Sequence, residues 1–72
     1  MARLSPADYD ALERAVRTGG RIVVDRRGSE FVVVARRLVL DGGRERIETV
    51  HPSTGDALVF YVDEVDAIQV LA

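Results

Sequence analysis

The side chains able to do chemistry in this sequence are acids and arginines, set out in separate groups. Asp8, Asp10 and Glu13 fall within "SPADYDALERAV", residues 5 to 16. Two arginine pairs follow, Arg26–Arg27 and Arg36–Arg37, and then Arg44 and Arg46. A last acidic group, Asp63, Glu64 and Asp66, stands near the C-terminal end. Acids grouped on one helix face suit docking on a basic surface, because opposite charge steers a partner into place. Arginine pairs suit phosphate, which they grip with planar, bidentate donors.

Catalytic chemistry is poorly served. The single histidine, His51, sits beside Pro52, and there is no cysteine, so neither a nucleophile–base pair nor a zinc site can be assembled. The glycines in "TGG" and "DGG" lack the spacing of a phosphate-binding loop. Asp63, Glu64 and Asp66 lack the alternation and distal glutamate of a calcium loop. We therefore expect no enzyme, no catalytic residue, no metal and no cofactor.

The arginines have a plainer role as well. Arg26, Arg27, Arg36 and Arg37 form a candidate nucleic-acid patch, yet cross-strand pairing with Glu30, Glu45 and Glu48 would use the same charges. Single-strand recognition also needs stacking aromatics. Only Tyr9, Phe31, Phe60 and Tyr61 are present, and most of these are needed for packing. The net charge of −2 gives the whole chain no field for nucleic acid.

The elements that must hold these groups follow from periodicity. Ser5 has the marks of an N-cap, with Pro6 at the first helical position and Asp8 in the place of a capping-box acid. Leu4 and Tyr9 stand at hydrophobic-staple positions, and Tyr9, Leu12 and Val16 make an apolar stripe. Gly19 and Gly20 end the helix, predicted over residues 6–18. On this helix Asp10–Arg14 and Glu13–Arg17 are i,i+4 pairs in the favourable order, so the two acids either spend their charge on these arginines or offer it to a basic partner. Strands are predicted over residues 21–25, 30–40, 44–51, 57–62 and 67–71, with a helical turn within 63–66. "DGGR" marks a tight hairpin. The run Phe31 to Ala35 is apolar without a break, which predicts cover on both faces of that strand.

At 72 residues the chain is one domain with a thin core, to which an oligomeric form would add burial. No apolar run precedes Ser5 and no stretch is long enough to span a membrane, so a cytoplasmic location is expected. The predicted fold is mainly β: a small five-stranded Sm-like or SH3-like barrel with one N-terminal α-helix, all in a single domain 1–72.

The residues carry a family likeness. "DYDALERA", then the "RRG" turn, "FVVVARRL", "ERIETV" and "LVFYVDEVDAI", resembles the Rof proteins over nearly the whole chain, about Pro6 to Val70. Those are small bacterial modulators of Rho-dependent transcription termination with an Sm-like fold. The resemblance implies a protein that docks on the termination factor Rho and blocks its engagement of RNA, with Asp8, Asp10 and Glu13 as contact residues. Two alternatives stand beside it. One is an Sm-type RNA-binding oligomer. The sequence lacks that group's aspartate–asparagine loop motif and its arginine–glycine pair, "YVDEV" occupying the second place. The other is an oligomeric structural module with a different partner.

Overall fold

The computed structural model describes residues 4–71. Helix α1 (Pro6–Thr18) is followed by strands β1 (Arg21–Arg26), β2 (Ser29–Asp41), β3 (Arg44–Val50) and β4 (Ala57–Tyr61). A 3-10 turn (Val62–Glu64) then leads into β5 (Ala67–Val70). The five strands form one antiparallel sheet in the order β4-β3-β2-β1-β5. The chain is thus mainly β with one N-terminal helix. Strands β4 and β5 are the two edges and do not pair with each other. No helix among the described residues is long and apolar enough to cross a membrane.

Helix α1 starts and stops where its sequence dictates. The Ser5 hydroxyl accepts from the Asp8 backbone N–H at 3.1 Å, and the Asp8 carboxylate accepts from the Ser5 N–H at 3.0 Å. Two of the three otherwise unpaired N-terminal donors are satisfied this way, Pro6 having no N–H. Gly19 ends the helix at φ 68°, a left-handed conformation that glycine adopts without a Cβ clash. The predicted stripe needs one correction. Leu12 and Ala15 are the fully buried helix residues, while Val16 is half-buried at the side. Alanine brings the helix close to the sheet, and burial of Leu12 contributes about 2 kcal/mol.

The sheet is strongly coiled. Phe60 stands opposite Ile47, and Ile47 opposite Leu38, far along β2 from Phe31. In a flat sheet Phe31 and Leu38 would be roughly 20 Å apart. Yet the Phe31 and Phe60 rings lie 5.3 Å apart, tilted by 56°. The bend coincides with a β-bulge in β2 between Ala35 and Arg37, where an extra residue bends a strand and raises its twist. The coil encloses Ile22, Val24, Val33, Ala35, Ile47 and Phe60 on its inner face, beneath Leu12. Val62 and Val65, from the turn after β4, close the same core. Thr49, the one buried polar residue described, donates its hydroxyl to the Leu58 carbonyl at 2.9 Å.

The two-sided cover expected for Phe31–Ala35 is absent among the described residues. Val33 and Ala35 are buried, but Val32 on the other face is 43% exposed. The hairpins are tight, as "DGG" requires: Gly42 and Gly43 have φ of 60° and 81°. The β1–β2 hairpin uses the same type of backbone at Arg27, φ 52°, and Gly28, φ 79°. Arg27 is the only described non-glycine residue with positive φ. Its N–H is held by the Asp66 carboxylate at 2.9 Å.

Candidate functional site

Packing of Leu12 and Ala15 against the sheet decides which helix residues face solvent. At 100° per residue, Asp10 and Glu13 lie on the outward side with Arg14 and Arg17. Asp8 points roughly 160° away from Asp10 and is engaged in the capping box. The structure therefore brings together Asp10 and Glu13 and separates Asp8 from them. The i,i+4 pairs open to these acids do not close. Among the described residues no ion pair includes Asp10, Glu13, Arg14 or Arg17. Such pairs gain little in water and would fix two long side chains. Both carboxylates are left exposed and without a cation of their own.

Tyr9 anchors this face from the side. Its hydroxyl donates to Glu45 Oε1 on β3 at 2.6 Å. That bond to a carboxylate, with partial desolvation and the adjacent negative charge, raises the phenol above its ordinary range. The staple partner Leu4 packs against the core. The helix is thus held by apolar contact and one charge-assisted hydrogen bond, neither of which uses Asp10 or Glu13.

The arginines behave differently, and those of the candidate nucleic-acid patch fall on two stretches of the sheet. Arg26 and Arg27 lie at the β1–β2 hairpin, whereas Arg36 and Arg37 lie at the bulge in the middle of β2. The Arg26 guanidinium lies over the Phe31 and Phe60 rings, 5.4 and 5.1 Å from their centroids. Arg37 meets Glu48 across the strands at 3.7 Å. Arg46 binds Asp41 at 2.7 Å and Glu48 at 3.3 Å. Arg44 makes a fork: Nε donates to Asp63 at 3.0 Å, and Nη2 donates to Asp63 at 2.8 Å and to Glu64 at 3.2 Å. It also stacks on Tyr61, 4.0 Å from the ring centroid. The fork raises the arginine further and holds Asp63 below its ordinary carboxylate range.

Two expected partners are corrected. Glu45 serves Tyr9 and makes no described ion pair with an arginine. Glu30 stands directly opposite Asp25 and meets no described arginine. The acids of the predicted turn are structural: Asp63 and Glu64 bind Arg44, and Asp66 holds the Arg27 N–H. Among the described residues no group of three or more His, Asp or Glu side chains could hold a metal ion. His51 is exposed, and its Nδ1 accepts from the Ser53 and Thr54 N–H groups at 3.1 and 3.3 Å, shaping the loop before β4.

Sequence reasoning missed the Arg44 fork, the Tyr9–Glu45 bond and the burial of Val65. A signal existed for Val65, an isolated valine among Asp63, Glu64 and Asp66. Its complete burial at the end of the 3-10 turn places those acids at the surface around it. No family model, curated protein or solved structure matches the chain.

Proposed function

We propose that this chain is a small non-enzymatic regulator. It docks through the outward face of α1 on the basic, RNA-gripping surface of a protein partner. One observation carries the reading: Asp10 and Glu13 are exposed on a well-capped helix and lack an ion-pair partner among the described residues, while Leu12, Ala15 and Tyr9 hold the helix to the sheet. A carboxylate without an internal cation is free to exchange water for an arginine or lysine of a partner. The resemblance of "DYDALERA" to the Rof helix names the partner as Rho and the effect as inhibition of termination. In this reading the coiled sheet is an open Sm-like barrel, with β4 and β5 as the lips of the opening. Asp8 then serves as the cap that orients the docking helix.

The test is capture of purified Rho by the immobilised chain, followed by RNA competition. The wild-type chain should retain Rho, and RNA should displace it. Asp10→Lys with Glu13→Lys should abolish retention while the circular dichroism melt is preserved. Failure of the wild-type chain to retain Rho would remove Rho as the partner. Salt-sensitive RNA binding by the chain itself would favour the nucleic-acid reading.

A further inference from the structure

The outer face of the sheet, opposite α1, carries an uncovered patch whose charges are arranged in a self-complementary way. Residues paired across antiparallel strands share a face. Ile22 with Val33, and Val24 with Phe31, are therefore inner, while Arg21 with Val34, Val23 with Val32, and Asp25 with Glu30 are outer. Along β1 the outer side chains run Arg21, Val23, Asp25. A basic end, an apolar centre and an acidic end follow one another. Next to them Val32 is 43% exposed, although it lies in the unbroken apolar run Phe31–Ala35.

The acidic end is the telling part. Asp25 and Glu30 are register partners at the hairpin end of β1 and β2. Like charges directly opposite each other destabilise a sheet, and neither acid has an ion pair among the described residues. Arg21, at the other end, is also exposed and without one. These are the terms of an isologous contact, in which one surface meets its own copy.

We infer that the outer face is a homodimer interface, with Val23 and Val32 at its centre and Arg21 of each copy over Asp25 and Glu30 of the other. A two-fold axis lying in the interface, across the strands at Val23, reverses strand direction and brings β1 over β1. That single operation stacks valine on valine and lays each basic end on an acidic end. The inward side of the sheet carries α1, so the dimer leaves Asp10 and Glu13 exposed. Arg21 faces only acids in this arrangement, whereas a generic partner would have to supply both charges in the right order.

Sedimentation velocity tests this on the intact chain. The wild type should sediment as a species of twice the monomer mass, in a concentration-dependent equilibrium. Asp25→Arg alone places arginine over Arg21 of the second copy, and Arg21→Asp alone places aspartate over acids. Each should weaken self-association by on the order of tenfold or more. Mixing the two single variants should restore a dimer, because every basic end again meets an acidic one. Only folded variants can pass that mixing step, which separates the inference from simple misfolding. A wild type that stays monomeric at every concentration would overturn it. So would single variants that still dimerise, a mixture that fails to associate, or a larger ring built through the β4 and β5 edges.

Discussion

The outward face of α1 and the β2–β3 hairpin end carry the same kinds of charge and treat them in opposite ways. At the hairpin end, Asp41, Arg44, Arg46, Glu48, Asp63 and Glu64 are all joined in forks and ladders. On the helix, Asp10, Glu13, Arg14 and Arg17 are joined to nothing described. The difference lies in what each region must hold. The hairpin end must tie the sheet to the turn after β4, and Arg44 reaches across to do it. The helix is already tied by Leu12, Ala15 and Tyr9, so its outer charges have no structural task. Charges that close on each other belong to the fold, and charges left open are available to a partner.

The sharpest way to break this comparison is to reverse the open charges. Asp10→Lys with Glu13→Lys should lower affinity for a basic partner on the order of 100-fold, since each reversal sets like charge against like. The thermal melt should not move, because no internal contact is lost. A large drop in melting temperature would show that these acids belong to the fold.

The reverse experiment acts on the closed charges. Arg44→Ala removes the fork and the Tyr61 stack together, and should lower the melting temperature by several degrees while partner capture is kept. It should also release Asp63. Because Asp63 is held low by Arg44, the contribution of the link is present above the ordinary aspartate range. It is lost as pH falls through the depressed value. A carbon-13 titration of the aspartates should show Asp63 returning to its ordinary range in Arg44→Ala. An unchanged Asp63 would mean that the fork does not form in solution.

A smaller effect concerns Arg27, whose φ of 52° belongs to glycine or asparagine rather than arginine. Arg27→Gly should raise stability by about 0.5–1 kcal/mol in urea unfolding by relieving that conformation. The gain is limited by glycine's greater freedom in the unfolded chain. If stability falls instead, the arginine side chain has a contact that outweighs its backbone strain.

What could be read from the sequence was local. Ser5, Pro6, Asp8 and Gly19 fixed α1 at its observed ends, because caps act through neighbours a few residues away. Strand limits agree to within a residue, since glycine turns and alternation are also local signals. What escaped was set by the coiling of the sheet. The bulge after Ala35 bends β2 at Arg36, so Phe31 on β2 meets Phe60 on β4, beyond the intervening β3 in the ladder. The same coil buries Ala15 in preference to Val16, because a small side chain lets the helix approach. Arg44 finds Asp63 across 19 residues, a pairing that spacing alone does not specify. The candidate site was half legible. Asp10 and Glu13 could be placed on one face by helical geometry, but whether they paired with Arg14 and Arg17 depended on side-chain conformation.

Tyr9 joins the two regions and provides the finest test of the contrast. It belongs to the open helix, yet its hydroxyl is closed onto Glu45 of β3. That bond raises its ionisation above the ordinary tyrosine range. Its contribution to stability is therefore complete below that range and is lost as pH rises through the raised value. In a Tyr61→Phe background the remaining phenol is Tyr9 alone, since the chain has two tyrosines. Ultraviolet titration should then show a single late transition, and adding Glu45→Gln should bring it back toward the ordinary value. Partner capture should survive Glu45→Gln only slightly weakened, because Leu12 and Ala15 still seat the helix. If capture disappears while the melt is intact, Tyr9 and Glu45 belong to the docking surface as well, and the boundary between closed and open charges must be moved to include them.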